Sequence, residues 1–136
     1  MSARETPMGE GFAPGPFQRL IGLEAPVIAD GRATIRLVLG PDHMNRQDRP
    51  HGGLICTLLD CAMGEAVSHR EGLPPYRSLT LNMSTSFLAA ATGASITAEG
   101  WRTGGGRTTV FAEAVVRDED GTVLATAQGT FRVKEP

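Results

Sequence analysis

The stretch HGGLICTLLDCAMGEAVSHR, residues 51–70, decides the fold of this chain. Apolar residues recur in it at four-residue steps, the spacing that places side chains on one face of an α-helix: Leu54, Leu58, Ala62 and Ala66. The pattern stops at residues 72–75, GLPP, because glycine and proline end helices. The stretch therefore predicts one helix of about five turns.

The opposite side of this helix is also built from small and apolar residues. They are Cys56, Met63, Gly64 and Val67, with Asp60 as the one charged group among them. A side exposed to water would carry more charge. We therefore expect the chain's own sheet to cover one side of the helix and a second copy of the chain to cover the other, with Asp60 at the interface between subunits.

The carboxylate of Asp60 needs a compensating interaction at such an interface, because burying it alone costs several kcal/mol. One interpretation is that Asp60 accepts hydrogen bonds from a neighbouring hydroxyl or backbone amide. The other is that removal from water makes the carboxylate a stronger base, as a general base or a nucleophile requires. The residues at the start of the helix favour the second interpretation.

His51, Gly52 and Gly53 stand where the helix begins. Backbone amides there lack helical partners and carry the positive end of the helix dipole, and glycine lets a ligand approach the backbone. The alternative is a flexible junction between loop and helix. Asp60 follows Gly52 by eight residues, about 12 Å along a helix axis, which is too far within one chain. A second subunit packed antiparallel would bring its Asp60 towards this Gly52.

The remainder of the chain predicts short strands. Segments rich in Thr, Val, Ala or Phe are separated by turn residues: 23–29, 33–39, 78–88, 94–102, 108–117 and 123–133. Asp30-Gly31 predicts a tight turn between the first two strands, and Asp120-Gly121 joins the last two. One helix among antiparallel strands is an α+β plan, in which the sheet buries a face against the helix. Residues 17–21 fit one helical turn.

Composition restricts the class of protein. The 136 residues fit one domain, which we assign to residues 17–136, after a flexible arm rich in proline and glycine at residues 1–16. Thirteen Lys and Arg against fifteen Asp and Glu give 13 − 15 = −2, so we expect no nucleic acid as partner. The apolar stretch 54–67 is shorter than the roughly 20 residues of a membrane span, so we expect no membrane partner either.

The two cysteines, Cys56 and Cys61, are five residues apart in the helix, so their side chains point in different directions and cannot bridge. No second Cys pair or suitably spaced His group accompanies them, so a zinc site is not expected. We predict that both cysteines are small buried hydrophobic residues and that the protein is located in the reducing cytoplasm. The amino terminus lacks the apolar core of a secretory signal, which also favours a cytoplasmic location.

Residues 45–60, NRQDRPHGGLICTLLD, resemble the hotdog-fold acyl-CoA thioesterases, in particular the phenylacetate-degradation (PaaI-type) branch. The shared elements are an asparagine six residues before the histidine, His-Gly-Gly at the helix start, and an aspartate nine residues after the histidine. The resemblance extends from about residue 20 and includes residues 78–82, SLTLN, and the closing strand. Many relatives have glycine three residues before the histidine; this chain has Asp48-Arg49-Pro50 there, so we expect a different loop path.

The resemblance implies a curved antiparallel sheet of about six strands around one long central helix. It further implies a homodimer, often assembled into a homotetramer, with active sites between subunits. By position, Asp60 would be the nucleophile or the base that activates water, and the Gly52 N–H would donate to the oxyanion. Asn45 and His51 would orient the thioester or the water, and Ser78 stands where relatives have a water-orienting hydroxyl.

Acyl-CoA is the implied substrate, and the reaction requires no metal and no other cofactor. The phosphates of CoA would seek basic residues and backbone groups near the mouth of the site, for which Arg102, Arg107 and the backbone of Gly104 to Gly106 are candidates. Gly53, at the helix start, is a further candidate for substrate binding. The alternative for the two arginines is a solvated turn. Aromatic and medium-chain acyl groups both fit the sequence. Two rival functions stay open: a noncatalytic module that binds or senses acyl-CoA, and a hydratase on the same fold.

Overall fold

The structure, a computed structural model, describes residues 13–136. Most of the predicted arm, residues 1–16, lies outside the described residues. Two α-helices and six strands follow in chain order: α1 (Pro16–Ile21), β1 (Val27–Ala29), β2 (Arg32–Val38), α2 (Gly52–Ser68), β3 (Arg77–Phe87), β4 (Ser95–Gly105), β5 (Thr109–Asp118) and β6 (Val123–Lys134). The long helix, the short turn before the first strand and all six strands are where the sequence predicts them, within a few residues.

The six strands form one antiparallel sheet in the order β1-β2-β4-β5-β6-β3. Helix α2 packs on this sheet and contacts every strand from β2 to β6. The core is the layer between them, and its largest fully buried side chains include Leu37, Leu58, Leu59, Ile96 and Phe131. The prediction of an α+β fold with one long central helix is confirmed.

The sheet covers more of α2 than the helical pattern predicts. Met63 and Val67, which we expected on the side facing a second subunit, are fully buried by their own chain. The pattern places residues around the helix axis, but it does not show how far the curved sheet extends around it. A narrower strip of partly exposed residues remains on α2: Cys56, Thr57, Asp60, Cys61 and Gly64.

Strand β4 approaches α2 closely at Gly100. A Cβ atom built on Gly100 would lie 2.5 Å from the carbonyl carbon and oxygen of Ala62, which no side chain tolerates. The absence of a side chain therefore lets the central strand pack directly against the helix backbone. This contact, two residues after Asp60, fixes the distance between the middle of α2 and the sheet.

The predicted hairpin between β1 and β2 is confirmed. Asp30 and Gly31 both have positive φ, 54° and 74°, as a two-residue turn of this type requires. The first strand is shorter than predicted, because Pro26 has no N–H to donate to the sheet. Upstream of it a single bond from Glu24 N to Arg36 O, of 3.1 Å, continues the pairing.

Strand β3 lies at one edge of the sheet and contains a bulge. Its pairing with β6 shifts register between Thr80 and Asn82, which leaves Leu81 unpaired. The extra residue reverses the alternation of side chains along the strand. As a result Thr80 contacts α2 before the bulge, and Thr85 and Phe87 contact it after the bulge. Across residues 13–136, no helix has both the length and the apolar character needed to cross a membrane.

Candidate active site

Asp60 lies halfway along α2, on the partly exposed strip. Its Oδ1 accepts a hydrogen bond of 2.6 Å from Oγ1 of Thr80 on β3. Its Oδ2 makes no hydrogen bond within residues 13–136. The bond to Thr80 is the kind of partner that the first interpretation of Asp60 anticipated. The free oxygen also leaves the carboxylate able to act on a bound molecule.

A groove of about 340 Å³ opens beside Asp60. Its floor is α2, represented by Thr57, Asp60 and Cys61, and its wall is the start of α1, residues 15–18. The groove is therefore built by two helices that are far apart in sequence. Because Asp60 lines it, a molecule bound in it would lie next to this residue.

Thr80 is a site residue that sequence reasoning missed. The resemblance pointed to Ser78, two residues earlier on the same side of β3. Ser78 Oγ instead accepts a hydrogen bond of 3.0 Å from Ser68 Oγ and lies beside Gly64, one helical turn beyond Asp60. The sequence did indicate that Ser78 and Thr80, two residues apart on a strand, lie on the same side of it. Choosing between them required the register of β3 against α2, which the sequence does not contain.

The first turn of α2 leaves one backbone amide available. His51 is the N-cap, and its Nδ1 accepts a hydrogen bond of 2.8 Å from Gly53 N. Leu54 N and Ile55 N donate to the carbonyl of His51 at 3.0 and 3.2 Å. Gly52 N has no acceptor among the described residues. The structure thus leaves the Gly52 amide free and assigns the Gly53 amide, which we expected to contact substrate, to the cap.

The same bond fixes the proton on the ring of a neutral His51. Because Nδ1 accepts from Gly53 N, the proton of the neutral imidazole is on Nε2. Nε2–H is then a donor that the cap does not use. A carbonyl oxygen placed near the helix start would have both this donor and the Gly52 amide within the same short segment.

Asn45 organises the loop before α2. Its Oδ1 accepts hydrogen bonds from Gln47 N at 2.9 Å and Arg49 N at 3.1 Å, and Asp48 adopts a positive φ of 62°. The loop therefore closes around the Asn45 side chain. Residues 48–50, where the sequence differs from that of many relatives, belong to this turn. A second cavity of about 490 Å³ lies here, lined by Met44, Asn45, Arg46, Gln47 and His51. Asn45 and His51 thus line the same cavity.

Arg102, Gly106 and Arg107 lie away from the helix start. Arg102 Nη2 donates to the carbonyl of Val67 at 3.3 Å, at the opposite end of α2 and about 22 Å along the axis from Gly52. Gly106 N donates to Thr109 O in the turn between β4 and β5, and Arg107 is exposed in that turn. Within one chain, the structure does not bring these three residues to Gly52.

Asp60 and Gly52 are also separate within one chain. Both belong to the continuous helix α2, so eight residues keep them about 12 Å apart along its axis. The carboxylate and the free amide consequently cannot act on one small group from the same subunit. This is the separation that the sequence predicts.

Cys61 borders the groove as a protonated thiol. Burial is the main cause that raises its pKa to about 11, and Gln18 Nε2 donates a hydrogen bond of 3.2 Å to its Sγ. A thiol of this kind does not act as a nucleophile near neutral pH. Cys56 and Cys61 are both free, as predicted, but they are half-buried on the open strip of α2 rather than fully buried. Within the described part of the chain, no three His, Cys, Asp or Glu side chains cluster as metal ligands would.

Comparison with known proteins identifies related chains. A family model described as the thioesterase superfamily matches residues 50–125, a range that contains α2 and most of the sheet. The conserved protein PA5202 from Pseudomonas aeruginosa is 31% identical, with a TM-score of 0.81, and the match covers 98% of this chain and 100% of that one. No curated protein sequence matches.

Two further solved structures extend the likeness. The BH2602 protein from Bacillus halodurans, solved with CoA, is 27% identical with a TM-score of 0.76, over 90% of this chain and 78% of that one. The Escherichia coli PaaI protein from the phenylacetic acid degradation operon is 17% identical with a TM-score of 0.78, over 88% and 85% of the two chains. The predicted fold is confirmed: the chain has the hotdog fold.

Proposed function

The chain belongs to the thioesterase superfamily, and on that premise we propose that it hydrolyses the thioester of an aromatic or medium-chain acyl-CoA to the free acid and CoA. Thioester hydrolysis is the reaction class of the family. The proposal assigns Asp60 as base or nucleophile and the Gly52 amide of the partner subunit as the oxyanion donor. Its catalytic unit is residues 17–136.

The observation that carries this proposal is the state of the first turn of α2. Three of its four amides are bonded within the chain, and the Gly52 amide is free among the described residues. Thioester hydrolysis develops negative charge on the carbonyl oxygen, and one preorganised donor at that oxygen is worth about 10² to 10³ in rate. His51 Nε2–H supplies a second donor to the carbonyl oxygen. Asn45, in the adjoining loop, helps to orient the thioester or the water.

The carboxylate of Asp60 is suited to the attack on the carbonyl carbon. Thr80 holds Oδ1, Oδ2 has no hydrogen-bond partner among residues 13–136, and Asp60 lines the groove. As a base, Oδ2 takes a proton from water while the water oxygen bonds to the carbonyl carbon, the C–S bond breaks and the CoA sulfur leaves as a thiolate. Positioned base catalysis contributes about 10² to 10⁴ in rate. As a nucleophile, Oδ2 itself bonds to the carbonyl carbon, and the C–S bond breaks with loss of the CoA thiolate. Water then hydrolyses the resulting anhydride, which releases the acid and restores the Asp60 carboxylate.

A second subunit would complete the site. Strand β3 lies at the edge of the sheet and exposes apolar side chains, among them Leu79, Leu81 and Phe87. An edge of eleven residues with exposed apolar groups is a ready surface for pairing with another strand. Antiparallel pairing about β3 would place the two α2 helices side by side in opposite directions. Asp60 of each subunit would then approach Gly52 of the other.

CoA is the proposed leaving group of the substrate. The 27% identical BH2602 protein was solved with CoA, which supports recognition of this group by the fold. In the proposed dimer, Arg102, Arg107 and the turn that contains Gly106 lie against the CoA phosphates, and Gly53 lets the thioester approach the helix start. Ser78 supports the water through its hydroxyl, together with Thr80.

Release of free thiol from acyl-CoA tests the proposal. Asp60→Asn should reduce kcat by at least about 10², whereas Glu71→Gln, which removes the same charge from an exposed residue after α2, should leave kcat within about twofold. Binding of acyl-CoA without thiol release would instead identify a noncatalytic module, and a changed acyl chain with an intact thioester would identify a hydratase. Equal rates for Asp60→Asn and the wild type would exclude the role of Asp60.

A further inference from the structure

The groove beside Asp60 has a wall that lies outside the family match. The matched region is residues 50–125, whereas the wall is the start of α1, residues 15–18. The reaction centre and the wall therefore come from different parts of the chain. A segment outside the matched region that borders the reaction centre is in a position to determine which substrates fit.

Helix α1 is held firmly against α2. Both ends of the Gln18 amide are bonded, since Oε1 accepts from Gly15 N at 2.9 Å and Nε2 donates to Cys61 Sγ at 3.2 Å. At the end of α1, His43 Nε2 donates to the carbonyl of Ile21 at 2.6 Å. These contacts tie α1 to α2 and to the loop before α2. The wall is thus fixed at both ends before a substrate binds.

The groove offers an apolar surface with few free polar groups. The side-chain amide of Gln18 is hydrogen-bonded to Gly15 and Cys61, and the Thr57 hydroxyl donates to Gly53 O at 2.9 Å. Among residues 13–136, Asp60 is the one charged residue that lines the groove. The pantetheine and phosphate parts of CoA require hydrogen bonds and cationic partners, whereas an apolar acyl group requires neither. The groove therefore fits the acyl end of a thioester.

We infer that α1 is the acyl-selecting wall of the site, with Phe17 contacting the apolar acyl group and Gln18 positioning the helix. This inference rests on the proposed function. Phe17 lines the groove and is 58% exposed, so the residue is accessible to a ligand. Leu20, on the same helix, is 81% exposed and does not line the groove. The two residues form a matched pair of exposed apolar side chains that differ in position.

The test compares kcat/KM for hexanoyl-CoA and phenylacetyl-CoA with kcat/KM for acetyl-CoA, whose acyl group has little apolar surface to bury against the wall. Phe17→Ala should lower at least one of the two ratios to acetyl-CoA about tenfold, mainly through KM. Leu20→Ala should leave both ratios within about twofold. Gln18→Leu, which keeps the bulk and removes both hydrogen bonds, should lower the same ratio as Phe17→Ala. A loss of fold would not change these ratios, since it removes active enzyme for all substrates equally.

The outcomes separate this inference from the proposed function. If the wild type releases thiol and Phe17→Ala keeps both ratios, the acyl-selecting wall is excluded while the thioesterase proposal stands. Equal changes from Phe17→Ala and Leu20→Ala would also exclude it, because the effect would not depend on the groove. If the wild type releases no thiol from any of the three thioesters, the proposed function fails, and this inference fails with it.

Discussion

Thr80 Oγ1 donates a hydrogen bond of 2.6 Å to Asp60 Oδ1, and this bond joins the edge strand β3 to the open strip of α2. The bond occupies one carboxylate oxygen and orients the other. It also links the residue proposed for chemistry to the strand proposed for dimer pairing. The position of Asp60 therefore depends on the strand that we propose for dimer pairing.

Removing the Thr80 hydroxyl should reduce the rate. Thr80→Val keeps the shape of the side chain and deletes the donor, and a hydrogen bond to a charged group is worth about 1.5 to 3 kcal/mol. We expect kcat to fall by about 10- to 100-fold, with recovery in Thr80→Ser. The matched control is Thr85→Val on the same strand, where the hydroxyl is near Cys56 rather than Asp60. A similar loss in both valine variants would mean that strand packing, and not this hydroxyl, sets the rate.

The two roles of His51 can be separated. His51→Ala loses the N-cap bond to Gly53 and should lower the free energy of unfolding by about 1 kcal/mol as well as kcat. Asparagine is a strong N-cap residue but lacks the Nε2–H group. His51→Asn should therefore recover Tm and not kcat. Recovery of both would show that His51 acts only as the cap.

The amide of Gly52 can be deleted without disturbing the helix. Gly52 is the first residue of α2, where proline is favoured, and His51 before it has φ −62° and ψ 139°, which proline accepts. Gly52→Pro should keep Tm close to the wild type and reduce kcat by about 10² to 10³. Gly52→Ala keeps the N–H, and its Cβ would meet the Phe87 ring at an ordinary 3.6 Å. If alanine and proline have equal effects on kcat, the amide is not the oxyanion donor.

Asp118 makes the free energy of unfolding depend on pH in the acidic range. Hydrogen bonds from the backbone of Thr92, then Glu119 and Gly93, hold the pKa of the Asp118 carboxyl below its ordinary 3.8. A carboxyl with a lowered folded-state pKa stabilises the fold above its unfolded pKa, and this contribution is lost as pH falls through the folded value. Asp118→Asn should lower the free energy of unfolding by about 1 to 3 kcal/mol at pH 7, with a smaller difference below pH 3.8. Denaturant unfolding at both pH values measures it, with Asp42→Asn as control; an equal difference at both would contradict the account.

Local features of the fold were predictable, and long-range ones were not. The apolar repeat through Leu54 and Leu58 predicts α2, and Asp30-Gly31 predicts its turn, because both depend on neighbours in sequence. The burial of Met63 depends on how far the sheet curves around α2, which no local pattern records. The partners of Asp60 follow the same division. Its separation from Gly52 follows from helical rise, whereas its contact with Thr80 depends on strand register.

The groove shows the same limit. Gln18 and Cys61 are 43 residues apart, and neither carries a sequence signal that predicts their contact. The contact arises because α1 covers the part of α2 that the sheet leaves open. Sequence reasoning therefore proposed reacting residues but gave no sign of the helix α1 that lies beside Asp60.

Complementation between two inactive variants tests most directly whether the site is shared between subunits. Asp60→Asn and Gly52→Pro subunits, unfolded together at equal amounts and refolded, would form mixed dimers in about half of the population. Each mixed dimer has one site with an intact Asp60 and an intact Gly52 only if these residues come from different subunits. The account predicts that thiol release from acyl-CoA recovers to about a quarter of the wild-type rate. A mixture that stays at the mean of its two inactive parents would contradict it.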